Sequence, residues 1–405
     1  MNKGDDMENW KDTKKGSCCL FGDYSGHRIL DFDEMNEQLN QLVHFKEQEA
    51  IGMTTFQYPI RHFTYGTGPY HVILTAGTHA SELITNCFLI HFMKELDQHM
   101  FLDPKQFTLH FIPILNPEGT IILTSAIRTV IPRKITPFWE ELLCIQYYTN
   151  SRLEDNYVIE KEDKDNKLQM WMFRYADSNC IPKKHKQLRE SVKEIIETEK
   201  LPKGAMIAWS SNGVGIDLNA NVPNPRYIKA MRQKIPFYHE LRLNQISMTS
   251  KGPIGCPFRS NQFQFEPENK AIIRLYKDLI KKEKVLGSFI YHACGNLIYY
   301  LDETDEKVNK ENSIQNTKYN LQIAKKYQEA TGYRILKDHK ETTVDYMLKK
   351  ILPGTILVEL GNIRSTPLSQ FIDSIDLVYS HIMNDNKKAL IETIEMMKKL
   401  YENKG

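Results

Sequence analysis

Apolar residues in this chain gather into short runs separated by turn residues and charged stretches. Residues 70–77, YHVILTAG, form one such run, and the SELITNCFLIHFMKEL that follows sets Ile84, Cys87, Phe88 and Phe92 at helical spacing. Strand, loop and helix are predicted in that order. A second run, FTLHFIPILNPEG at 107–119, stops at Asn-Pro and Gly, and SFIYHACGNLIYY at 288–300 and TILVELGN at 355–362 also predict buried strands. Helices are expected at 315–331 and at 267–284, where Pro267 suits a first turn. Strands alternating with helices predict an α/β fold, a mixed and mostly parallel twisted sheet with helices on both faces.

The pattern weakens from about 120 to 204, where EKEDKDNK at 160–167 precedes a helical stretch at 186–200, and this segment is expected to be an insertion over one rim of the sheet. Residues 1–50 are expected to be an extension and 51–405 the main domain. At the carboxyl end, Phe371, Ile375, Leu377, Val378 and Ile382, followed by Leu390, Ile394 and Met397, predict one or two closing helices.

Composition narrows the function more than the fold. The 53 Lys and Arg nearly balance the 51 Asp and Glu, so no global field attracts nucleic acid or anionic membrane, and a peptide or small amide is the expected partner. The amino terminus lacks the apolar core of a signal peptide, and no run approaches the ~18 apolar residues of a membrane span. The seven cysteines form an odd set with no C-x-x-C pair, which suits reduced thiols and a cytoplasmic location; Cys18 and Cys19 are expected to be incidental. Nothing in the pattern specifies an oligomer.

His79-Ala80-Ser81-Glu82 falls where the first clear strand gives way to its helix, the edge at which open α/β sheets hold their ligands. A histidine and a glutamate three residues apart can face one ion. His292, at the end of another strand, can complete a His2Glu site for one zinc if the two strands are neighbours, leaving a fourth position open. The pattern H-x-x-E recurs by chance, and a lone histidine beside a strand is more often packed than ligating. The order of parts is more specific: His79-x-x-Glu82, Asn116-Pro117-Glu118-Gly119, Gly215-Ile216-Asp217-Leu218-Asn219, His292, then Glu359 at the end of Thr355-Ile356-Leu357-Val358-Glu359.

Over roughly 55–365 this order resembles the zinc carboxypeptidases of the carboxypeptidase A type, and most of all their bacterial branch that trims cell-wall peptides. The resemblance implies a carboxypeptidase-like fold, zinc held by His79, Glu82 and His292, and Glu359 as catalytic glutamate. It also implies that Asp217 backs the first zinc histidine and that Asn219 binds the terminal carboxylate of a substrate. Independent chemistry agrees: a ligating histidine usually passes its other N–H to a carboxylate, and a carboxylate beside zinc-activated water suits a general base. A glutamate inside TILVELG would also be costly to bury without a task.

Two parts of the family pattern are missing. Ala220 stands where the family places the arginine that clamps a terminal carboxylate, and Trp209-Ser210-Ser211-Asn212 offers no oxyanion arginine. Arg128, Arg133, Arg226 and Arg259 are the candidates, with Arg226 also a candidate anchor for a substrate carboxylate. The capping tyrosine should precede an aspartate–aromatic pair that looks like Asp345-Tyr346, but Thr342 and Thr343 occupy its place; Tyr333 and Tyr346 are expected to be packed. The expected function is thus a zinc metallopeptidase cleaving an amide bond in a short peptide, with γ-D-glutamyl wall fragments leading. The alternatives are an aspartoacylase-like deacylase of N-acyl amino acids and a noncatalytic zinc-binding homologue.

Overall fold

The computed structural model describes residues 30–130, 177–199, 201, 206, 209–224, 255–260, 262–293, 295–304, 310–338, 343–361 and 368–403. Its centre is an eight-stranded sheet in the order β1-β4-β6-β5-β7-β10-β8-β9. These strands are β1 (Phe45–Glu47), β4 (Phe63–Tyr65), β5 (Tyr70–Thr75), β6 (Phe107–Ile112), β7 (Lys284–His292), β8 (Leu297–Leu301), β9 (Arg334–Asp338) and β10 (Thr355–Glu359). A separate pair joins β2 (Gly52–Met53) to β3 (Pro59–Ile60). The four central strands β6, β5, β7 and β10 are parallel, and so are β8 and β9; the β1–β4, β4–β6 and β10–β8 pairings are antiparallel.

The central strands are apolar on both sides, as strands covered by helices on each face must be. Val72 and Leu74 of β5, Phe289 and Tyr291 of β7, and Ile356 and Val358 of β10 enter one core. That core is closed by α2 (Leu83–His99), α3 (Pro117–Val130), α4 (Lys186–Thr198), α6 (Lys310–Thr331) and α8 (Leu368–Glu402), the last a single closing helix. Ile73, Ile112 and Ile290 face the other side, where α5 (Pro267–Lys282) and α7 (Val344–Ile351) cover them. Alternation along each strand thus separates two cores.

Three details depart from the sequence pattern. The run at 288–300 splits into two strands because Asn296, at φ 51°, and the residues before it turn the chain back, making β8 antiparallel to β10. Part of the expected extension belongs to the fold: α1 (Phe32–Asn40), with a capping box between Asp31 and Glu34, leads into the edge strand β1. The expected insertion begins inside α3, whose Ile121, Ile122, Leu123 and Ala126 are buried, and it includes α4; residues 131–176 lie outside the described residues. Among the described residues no helix is long and apolar enough to cross a membrane.

Candidate metal centre

β5 and β7 are adjacent and parallel, so their carboxyl ends deliver the two sequence-predicted histidines to the same edge of the sheet. After β5 the chain turns through Gly77, at φ 71°, where a Cβ would come within 2.2 Å of the Asn86 amide. Only glycine fits there. Bonds from Ala76 N to Ile112 O and from Asn116 N to Gly77 O, each 3.0 Å, hold the turn against the end of β6. Glu82 occupies the N-cap of α2 without using its side chain as a cap. Its carboxylate is therefore available to the centre.

Both imidazoles meet that carboxylate through the same ring atom. His79 Nδ1 lies 2.8 Å from Glu82 Oε1, and His292 Nδ1 lies 2.9 Å from Glu82 Oε2. The two rings are 4.9 Å apart at their centroids and nearly perpendicular. Each also turns its Nε2 toward a second carboxylate: His79 reaches Asp217 Oδ1 at 3.2 Å, and His292 reaches Asp345 Oδ2 at 2.9 Å. His79, Glu82 and His292 can each offer a ligand atom with all three atoms within 4.8 Å of one another. Two imidazole nitrogens and a carboxylate converging this way match the donor set of a hydrolytic zinc site, and the carboxylates behind them match the support such ligands need.

Electrostatics agree with the geometry. Burial disfavours a charged His292, but Asp345 and Glu82 outweigh it and raise its pKa to about 10. His79 is likewise driven down by burial and lifted well above the usual histidine range by Glu82 and Asp217. Burial acts to raise Glu82, yet the two imidazoles bring it down to about 2, and Asp345 is lowered against its burial chiefly by His292. The surroundings favour positive charge between the rings, which a divalent cation would supply.

The segment predicted to support the centre is held from several sides. Asp217 Oδ1 accepts the Asn219 and Ala220 amides at 2.9 and 3.2 Å, forming a tight turn that fixes its carboxylate behind His79. Asn219 Oδ1 accepts Asp345 N at 3.2 Å, and its carbonyl accepts Val344 N at 2.8 Å, so this residue ties the start of α7 to the centre. Its amide nitrogen is what it has left to offer a substrate. Ala220 is buried against the α5 side of the sheet. Glu359 ends β10 with His292 as its register partner, so the two side chains leave the sheet on one face.

Of the arginine candidates, Arg259 is engaged elsewhere: its Nε and Nη2 fork onto the two oxygens of Glu266 at 2.7 and 2.5 Å. Arg133 and Arg226 lie outside the described residues, as does the side chain of Arg128. Tyr333 is buried, with its hydroxyl accepting Gly361 N and the Asn386 amide, so it is a packed residue. Asp345 was seen in the sequence only as half of an aspartate–aromatic pair, and its place behind His292 was missed. The signal was two charges, Asp345 and Lys349, on the buried face that α7 shares with Val344 and Leu348.

The sequence profile of the zinc carboxypeptidases matches residues 47–361. No curated protein sequence matches the chain. Among solved structures, thrombin-activatable fibrinolysis inhibitor is similar at a TM-score of 0.50 and 12% identity, over 98% of this chain and 81% of that one. Its bovine form, in complex with tick carboxypeptidase inhibitor, is similar at a TM-score of 0.48 and 12% identity, over 91% and 95%. The murein-tripeptide amidase of Escherichia coli O157 is similar at a TM-score of 0.35 and 10% identity, over 84% and 91%.

Proposed function

The chain belongs to the zinc carboxypeptidase family and is a metallopeptidase, and we propose that it hydrolyses an amide bond in short, carboxylate-bearing peptides with one zinc held by His79, Glu82 and His292. The observation that carries this reading is the pair of histidines facing one glutamate through Nδ1 and two aspartates through Nε2. Zinc in such a site polarises a peptide carbonyl and makes water acidic enough to be deprotonated near neutral pH. Glu359, on the same sheet face as His292, accepts the proton from the attacking water and returns it to the departing nitrogen. Asp217, hydrogen-bonded to His79 Nε2, and Asp345, beside His292 Nε2, would favour the tautomers whose Nδ1 atoms are free to hold the metal.

Ala220 supports a substrate outside the ordinary carboxypeptidase range. With no arginine beside Asn219, a free main-chain carboxylate loses a charge-assisted fork, and the preference for it should fall by about tenfold or more. Wall peptides with γ-D-glutamyl linkages carry their carboxylates off the line of the cleaved chain, which suits a site that does not grip a terminal one. Mass spectrometry of muropeptides and ordinary peptides incubated with zinc-loaded and chelator-treated protein tests the reading. Zinc-dependent cleavage of the wall fragments is expected, and intact fragments beside rapid trimming of ordinary carboxyl termini would overturn it.

A further inference from the structure

Among the described residues, Arg334 lies at the carboxyl edge of the central strands, and the family pattern does not single it out. Glu359 pairs across the sheet with His292 on one side and Leu297 on the other, and Leu297 pairs in turn with Arg334. The four residues form a row across neighbouring strands, so their side chains project from one face. Adjacent strands stand about 4.8 Å apart, which sets the Arg334 backbone about 10 Å from that of Glu359, within reach of a long side chain and a short stretch of substrate. α7 crosses this face from Asp345, beside His292, to Lys349, paired with Asp338 at the far end of β9. Arg334 is left exposed at the open end.

Its backbone is fixed to the backbone of the proposed base. Arg334 N donates to Asn296 O at 2.9 Å, Asn296 N to Gly361 O at 3.0 Å, and Leu360 N to His292 O at 2.7 Å. The Tyr333 hydroxyl accepts Gly361 N at 3.1 Å. The guanidinium, by contrast, makes no ion pair or side-chain hydrogen bond with any described residue. Other arginines whose side chains are described are engaged: Arg61 with Glu47, Arg189 with Asn179, Arg259 with Glu266 and Arg274 with the Ile51 carbonyl. A positive group facing water at the rim, in line with a centre built from Glu82, Asp217, Asp345 and Glu359, is placed to hold an anion away from those carboxylates.

We propose that Arg334 is a specificity-determining residue that binds a substrate carboxylate two to three residues from the cleaved bond, the span set by its distance from Glu359 and about 3.3–3.6 Å per extended residue. This rests on the peptidase reading above. The guanidinium fork supplies the carboxylate recognition that Ala220 has removed beside Asn219, at a different position along the substrate. It selects acidic side chains or branch carboxylates over neutral ones.

The test uses alanine hexapeptides in which each position in turn is Glu, Gln or Lys. With wild type, kcat/KM for the best Glu peptide should exceed that of its Gln partner by about tenfold to a hundredfold, and Arg334→Ala should bring the ratio close to one. Arg334→Glu should reverse it, favouring Lys at the same position, which a merely structural role would not do. The same peptides are titrated calorimetrically against Glu359→Gln protein and its Arg334→Ala double variant, which reads recognition without turnover. Loss of Glu-over-Gln discrimination in binding, with no hydrolysis by wild type, would uphold the recognition by Arg334 while overturning the peptidase reading. Discrimination unchanged by both Arg334 substitutions, in turnover and in binding, would overturn the inference.

Discussion

Two groups of histidines lie in different parts of the same sheet and have opposite preferences for charge. At the carboxyl edge, His79 and His292 share Glu82 and are backed by Asp217 and Asp345, and carboxylate attraction overcomes burial. Running diagonally across β5, β6 and the residue before β4, His71, His110 and His62 form a ladder: His62 Nε2 is 3.0 Å from His110 Nδ1, and His110 Nε2 is 2.9 Å from His71 Nδ1. Among the described residues no carboxylate lies inside this ladder; Glu283 stands at its end, 3.4 Å from His71 Nε2. Burial there brings His62 down to about 4, and burial with neighbouring imidazoles brings His110 to about 3. Largely withdrawn from solvent, one side-chain type thus favours either a charged cluster or a neutral hydrogen-bonded stack, according to the acids placed around it.

The ladder also has a direction. Each neutral ring donates through one nitrogen and accepts through the other, so His110 relays one sense of donation between His62 and His71. At the candidate metal centre Asp217 and Asp345 stand on the Nε2 side of the two rings, and both Nδ1 atoms turn toward a common point.

The comparison breaks most sharply where the carboxylate joining the two rings is removed. Glu82→Gln should eliminate stoichiometric zinc from protein purified without added metal, since one ligand is lost and the buried imidazoles lose the negative charge between them. Elemental analysis reads the result, and one zinc per chain in that variant would move the site elsewhere. Glu359→Gln leaves the ligand set whole, so zinc should stay while kcat falls by about 10²–10⁴-fold. Near wild-type kcat in the zinc-bound variant would assign the base to another residue.

The ladder predicts acid sensitivity of the fold. The unfolded chain protonates these histidines near pH 6.5, whereas in the folded protein His62 waits until about 4 and His110 until about 3. Between those limits the unfolded state binds more protons, so stability is present above pH 6.5 and lost as pH falls, by about 2 kcal/mol per ring on reaching pH 5. Urea midpoints across that range give the slope, and His110→Gln should flatten it. A wild-type midpoint that does not fall between pH 6.5 and 5 would contradict neutral rings in the folded state.

How much of this was legible in the sequence differs between the two groups. His79, Glu82 and His292 follow strand ends, where loops carry chemistry, and their spacing with Asp217 and Glu359 forms a recognisable order. The centre was therefore visible before the fold. His62, His71 and His110 sit inside or beside apolar strand runs, and what joins them is register: His110 pairs with Thr64 and Ile73, two residues along from His62 and His71. Such diagonal neighbours are set by strand order and are hidden in a one-dimensional pattern. The short strands β1, β4 and β9 were missed for a related reason, since with five residues or fewer they show little periodicity of their own.

The smallest effect separates the two supporting aspartates. Asp217 is 19% exposed at its side chain, stands 3.2 Å from His79 and shares its oxygen with two backbone amides. Asp345 is 3% exposed and stands 2.9 Å from His292. An asparagine at either place keeps the shape and removes the charge, and loss of such support typically lowers metal affinity by about 10–100-fold. The deeper, closer Asp345 acts through a less screened interaction, while the Asp217 oxygen is already shared with two amide donors. Asp345→Asn should therefore weaken zinc more than Asp217→Asn, each measured by competition with a chromophoric chelator at neutral pH. Equal losses would show that the amides at Asp217 do not dilute its effect on His79, and unchanged affinity in Asp345→Asn would mean that His292 is oriented by its place at the end of β7 alone.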